Sequence, residues 1–172
     1  LPTPRRPIMS RLRSGRPALS PEFEAVVAKA VRNIVHFTHP DGETVLFGDS
    51  GTGELRNTLE SFAAEDPVFL YVSSRGARGV PPAETSLALH KTGFFMMRSG
   101  WGTERPFADE TFLIADFSPW GKAHQHEDFL SFELSAGGFR WFTDLGTFSY
   151  DRDDPWRNYV TSPLAHNIVV PF

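Results

Sequence analysis

Apolar residues recur at helical spacing early in the chain and at strand spacing later. Phe23, Val26, Val27, Ala30, Val31, Ile34 and Val35 follow i, i+3, i+4, which puts them on one stripe of a helix of roughly four turns. Ser20 offers a cap and Pro21 a first helical residue. Pro40-Asp41-Gly42 reads as the turn that ends this stretch. A second helix is expected from Glu54 to about Ala64, closed by Pro67. Beyond the Gly/Pro/Arg loop of residues 76–82 the period drops to two. Strands are expected at Ser86–His90, Gly93–Ser99, Thr111–Phe117, Phe129–Ser135, Arg140–Asp144 and Asn167–Val170. Ala136-Gly137-Gly138 supplies a hairpin turn between the fourth and fifth. Along the fourth, Leu130, Phe132 and Leu134 share one face, read as the core face, and Ser131 and Glu133 share the other.

These elements define an α+β chain. Residues 1–75 form an N-terminal arm and a helical hairpin, and residues 76–172 an antiparallel β-sandwich. A lone helical hairpin cannot bury its own face, and five or six strands make a thin sandwich. The pattern therefore predicts more helical body upstream and more strands downstream.

Composition narrows the functional classes. The 172 residues are 40% hydrophobic and 13% aromatic, with 16 Phe and 4 Trp, enough for a core and for sugar-stacking surfaces. The net charge of −4 hides an asymmetry. Arg5, Arg6, Arg11, Arg13 and Arg16 make a basic head without acids, and the remainder carries 12 basic against 21 acidic residues. No nucleic-acid motif follows the head, so it reads as a solvated or packed arm. The absence of Cys excludes disulfides, thiolate metal sites and Cys nucleophiles. No apolar run reaches the length of a membrane span, and the first residues lack the apolar core of a signal peptide. A secreted or periplasmic location is expected, with any signal removed or upstream.

Candidate chemistry gathers in three late islands: His124-Gln125-His126-Glu127-Asp128, Thr143-Asp144-Leu145-Gly146-Thr147 and Ala165-His166-Asn167. A His-x-His pair with a later Asp and His suits metal ligation, proton transfer, or both. Taken singly, each of these residues also fits an ordinary structural role. A tight turn at Gly137-Gly138 places Asp144 opposite Leu130 or Ser131. If residues 124–128 extend the strand, His126 then lies more than roughly 10 Å away. Joint ligation requires that segment to curl back. Tyr150, Trp156, Arg157 and Tyr159 form an aromatic-basic stretch of the kind that binds sugar rings and carboxylates. The Gly-rich run Val45 to Gly53 lacks the Lys and helix context of a phosphate loop. A cupin site would need Glu four or five residues after the His pair, where Leu130 and Ser131 stand. His-Glu-x-x-His and Gly-x-Ser-x-Gly motifs are absent.

Taken in order, Thr92 to Ser99, His124 to Phe132, Asp144 to Tyr150 and Trp156 to His166-Asn167 resemble the heparinase II/III-like polysaccharide lyases, a superfamily that includes alginate lyases. Gly48-Asp49-Ser50 resembles the end of its helical part. The resemblance covers roughly residues 45–172. It implies an (α/α) toroid followed by an antiparallel β-sandwich, and β-elimination at a uronic acid in a polysaccharide. It implies a metal, usually zinc, held by His126, Asp144 and His166. By the same resemblance His124 faces substrate as a catalytic residue; from the aromatic-basic stretch, Tyr150 and Arg157 are the expected substrate-binding residues. The family's Tyr acid/base comes from the toroid, so it is expected upstream of Leu1. Two other functions remain open on the residues alone: a non-catalytic carbohydrate-binding β-sandwich module and a metal-dependent hydrolase.

Overall fold

Ser20 caps the first helix, its hydroxyl accepting from the Phe23 N–H at 3.2 Å. In the computed structural model, which describes residues 20–52, 59, 62–63, 66–119, 121 and 124–170, that helix is α1, Pro21–Asn33. A 3₁₀ turn, Ile34–Phe37, continues it. The apolar stripe is used unevenly. Val31 and Ile34 pack on a core formed by Val35, Leu59, Phe69, Tyr71, Val72, Trp101 and Phe107, whereas Phe23 and Val26 are exposed.

Most of the helix expected at Glu54–Ala64 lies outside the described residues. Leu59 and Phe62 are helical and Ala63 is a turn, and Pro67 follows this stretch and also opens α2, Pro67–Ser73, with Asp66 capping the Val68 N–H at 2.9 Å. Proline suits this first position because its missing N–H is one that the helix leaves unpaired anyway.

The strands form one antiparallel meander in the order β1-β2-β3-β4-β5. Their ranges are Ser86–Leu89, Phe94–Arg98, Phe112–Asp116, Phe132–Ala136 and Phe139–Phe142. The β4–β5 turn has Gly137 at φ +59° and Gly138 at φ +82°, the left-handed pair that a two-residue hairpin requires. The α+β class is as expected, and the described strands make a single five-stranded sheet. Asn167–Val170 is not a strand. Asn167 instead donates from Nδ2 to the carbonyls of Phe132 and Thr143, 3.1 Å each, and Val169 is exposed. Among the described residues no helix is long and apolar enough to cross a membrane.

The core face of β4 is the reverse of the one expected. Ser131, Glu133 and Ser135 are buried, Leu130 is exposed, and Phe132 and Leu134 are half-buried. The reason is a polar clamp from the segment after α1. His39 Nε2 meets Glu133 Oε2 at 2.6 Å, its Nδ1 meets Ser135 Oγ at 2.7 Å, and the Leu46 N–H donates to Glu133 Oε1 at 2.7 Å. Hydrogen-bonded polar groups can be buried where lone ones cannot. Next to the clamp, Val45 and Phe47 pack on Met96, Phe112 and Ile114. The clamp thus fixes the loop that runs on to Asp49. Glu133→Ala leaves a buried imidazole and a backbone N–H without their acceptor, and is expected to cost about 2–4 kcal/mol. Urea unfolding checks this; a loss below about 1 kcal/mol removes the clamp from the account.

A second buried imidazole sets an acid limit. His36 packs edge-on against Trp101, ring centroids 5.5 Å apart. Burial, helped by the charge of Arg98, pushes it down to about 4. The unfolded chain takes up that proton near pH 6.5 and the folded one only near 4, so stability falls as pH drops through this window. The loss is on the order of 3 kcal/mol. Unfolding at pH 7 and pH 4.5 tests it, with His36→Phe expected to flatten the difference.

Candidate active site and metal centre

Loop 45–50 delivers the acid around which the site is built. Gly48, at φ +56°, lies so close to the backbone of His124 that a Cβ there would sit 2.5 Å from its carbonyl oxygen. The Asp49 N–H donates to that carbonyl at 2.9 Å, and Ser50 O accepts from the Thr147 N–H at 3.1 Å. The Asp49 carboxylate is thereby held among three partners. His124 Nδ1 lies 2.9 Å from Oδ2, while His126 Nε2 and Arg157 Nη1 lie 3.0 and 2.6 Å from Oδ1. Burial raises the Asp49 carboxyl, but the hydrogen bonds from Arg157, His126 and His124 outweigh it and bring it to about 2. Asp49 is therefore an anion at neutral pH and accepts from both rings. The nitrogens that face this anion are His126 Nε2 and His124 Nδ1, which leaves Nδ1 of His126 and Nε2 of His124 turned away from it.

Arg157 rides on a short helix, α3, Pro155–Val160, capped by Asp154 at the Trp156 N–H. Its Nη1 also donates to Thr147 Oγ1 at 2.7 Å, and its guanidinium lies 5.4 Å from the Tyr150 ring centroid. Arg157 thus faces Asp49 and stays mostly buried. Tyr150 and His124 stand in the open, their rings edge-to-face at 6.2 Å. The His124 side chain is 77% exposed, so its Nε2 is the nitrogen left for a ligand.

The curl that joint ligation requires is present. Leu130 takes φ +70°, the Ser131 N–H donates back to the Asp128 carbonyl, and the Glu127 N–H is tied to the Thr161 carbonyl. β4 begins only at Phe132. His126 is thereby folded onto Asp144 and His166. One ligand atom from each of the three lies within 4.8 Å of the others, and all three residues are buried. Asp144 is held by the β4–β5 hairpin, with Ser131 Oγ at 3.5 Å and the Gly146 N–H at 3.2 Å from its oxygens. His166 Nδ1 meets Asp144 Oδ2 at 2.7 Å. Burial pulls His166 down, but the hydrogen bond and charge of Asp144, with Asp128 and Glu127, leave it raised overall.

The donor set suits a cation. His126 Nδ1 and His166 Nε2 are buried with no protein partner, while the opposite nitrogen of each ring is tied to a carboxylate. A carboxylate outside the group and behind an imidazole orients a histidine ligand toward a metal. Asp49, not anticipated as a site residue, is that carboxylate for His126. Its sequence signal was an acid between glycines after an apolar run, but its partner His124 lies 75 positions on.

The sheet, its helical flank and the loops that carry this group define a class, the C-terminal β-structured part of heparinase-like proteins. The family model "Heparinase II/III-like, C-terminal" matches residues 81–170, and the chain belongs to that family. A heparin-sulfate lyase of Pedobacter heparinus is 30% identical over 162 residues, covering 87% of this chain and 24% of the relative. One from Bacteroides stercoris is 25% identical over 157 residues, covering 86% of this chain and 23% of the relative. A crystal structure of a Pedobacter heparinus heparan sulfate lyase superposes with a TM-score of 0.70 at 27% identity, covering 82% of this chain and 23% of that one. The chain thus spans about a quarter of the length of these relatives.

Proposed function

We propose that this chain is part of a polysaccharide lyase that cleaves uronate-containing polymers by β-elimination, with zinc held by His126, Asp144 and His166. The observation that carries the reading is the Asp49 hub. It joins the open imidazole of His124 to the buried imidazole of His126 in a chain of the heparinase II/III-like family. The relatives' names point to a heparan-type substrate, and a polymer of that kind fits a secreted or periplasmic enzyme.

In the reaction the C5 proton of the uronate leaves, a C4–C5 double bond forms, and the C4–O bond breaks with its electron pair and a proton going to the leaving sugar. That C5 proton is weakly acidic beside a carboxylate, so the carboxylate must be hydrogen-bonded before a base can act. His124 offers Nε2 to this work. Neutral, it accepts a proton; as imidazolium, it donates to the uronate carboxylate, and Asp49 supports the charge in both cases. Tyr150 gives the sugar a ring edge or face beside it, and Arg157 holds Asp49 in register. Zinc, when bound, neutralises buried carboxylate charge and fixes the loops around it.

The protein carrying this chain is expected to release products with the ultraviolet absorbance of an unsaturated uronate from heparan sulfate or a related polymer. His124→Ala is expected to lower that rate by about 10²-fold or more. Binding of these polymers without any such product assigns a carbohydrate-binding role instead.

A further inference from the structure

We propose that Asp128 is a fourth, outer member of the zinc group, the carboxylate that accepts from the solvent donor filling the ion's remaining position. This deepens the zinc reading and rests on it. Among the described residues, eight buried side-chain nitrogen or oxygen atoms lack a hydrogen-bond partner. Three belong to Arg98, whose guanidinium instead lies 4.1 and 4.3 Å from the ring centroids of Trp101 and Phe112. One is Thr38 Oγ1. The other four are His126 Nδ1, His166 Nε2 and both oxygens of Asp128. Native proteins rarely leave buried carboxylates unanswered, and Asp128 is only 1% exposed.

His126 and His166 are accounted for as members of the group that could hold the ion. The Asp128 oxygens are not, because Asp128 is not one of the three residues whose ligand atoms lie mutually within 4.8 Å. It nonetheless adjoins the group: the Asp128 carbonyl accepts from the Ser131 N–H at 2.8 Å, and Ser131 Oγ meets Asp144 Oδ2 at 3.5 Å. Zinc with three protein ligands keeps a fourth position for another donor, and a carboxylate with both oxygens free is the acceptor such a donor needs. Asp116 is the natural control. It is also a buried carboxylate beside Asp128, but its Oδ1 already accepts from the Ser118 N–H at 2.7 Å.

The test is a zinc titration of the metal-free protein against a chromophoric chelator. Wild type is expected to bind one zinc at this group. Asp128→Asn is expected to bind one zinc with affinity lowered about 10–100-fold, and Asp116→Asn to stay within about threefold of wild type. Thermal unfolding supplies a second reading. Without zinc Asp128→Asn is expected to melt at or above wild type, because a buried carboxyl group without a hydrogen-bond partner is gone; with zinc it melts below. Asp128→Ser is expected to repeat both signs. Unchanged affinity in Asp128→Asn, or an equal loss in Asp116→Asn, overturns the proposal and leaves the zinc reading standing. A wild-type protein that binds no zinc removes the zinc reading itself.

Discussion

Asp49→Ala lowers polymer cleavage by about 10²–10³-fold, with most of the loss in kcat. The substitution removes one acceptor from three donors at once. His124 loses the partner that holds its Nδ1 and presents Nε2 outward. His126 loses the carboxylate that leaves Nδ1 free for the ion. Arg157 loses its 2.6 Å partner and becomes a mostly buried cation without a carboxylate, left with Thr147 Oγ1 and the Tyr150 ring. Asp49→Asn keeps the shape but can donate as well as accept, so one ring is free to flip or change tautomer; a smaller loss is expected. Two readouts separate the effects. Zinc affinity is expected to fall about 10–100-fold, as when an outer partner of a ligand is removed, and saturating zinc is expected to restore only part of the rate. Full recovery with zinc reduces Asp49 to a support for His126 alone. An unchanged rate removes it from the mechanism.

His166→Ala is expected to abolish zinc binding and all zinc-dependent stability. Wild type should gain about 4 kcal/mol when zinc exceeds its dissociation constant a thousandfold, and a chelator should reverse the gain. In the variant, thermal unfolding should be the same with zinc and with chelator. The zinc-free variant is itself expected to be weakened, since Asp144 loses the 2.7 Å hydrogen bond that answers its buried charge. A zinc response that survives in His166→Ala places the ion elsewhere. Elemental analysis of the purified protein gives an independent check of content.

The strands were legible because alternation and turn glycines are local. β2, β3 and β5 fall within a residue or two of their expected limits, and Gly137-Gly138 makes the hairpin that its composition announces. The first helix was legible for the same reason, from its cap and its 3.6-residue period. Burial was less so. Leu130, Phe132 and Leu134 look like a core row by hydropathy. What decides the inner face is the chance for Glu133 to meet His39, and those residues lie 94 positions apart. Pro67 reads in the sequence only as an end, but proline also begins helices, and here the Asp66 cap makes it the first residue of α2.

The site divides along the same line. The sequence by itself set the residue types and the order of the three islands, and the family resemblance it carries put His126, Asp144 and His166 in one candidate group. It also posed the obstacle, since an extended strand keeps His126 away from Asp144. Only the tertiary structure removed that obstacle, by turning the chain at Leu130 so that strand parity stops before His126. It alone placed Asp49 between the two histidines, because the contact depends on a glycine with no Cβ lying against a distant carbonyl. Periodicity reports what neighbours along the chain do. Which carboxylate answers which imidazole is decided by long-range packing, where each buried polar group must find a partner.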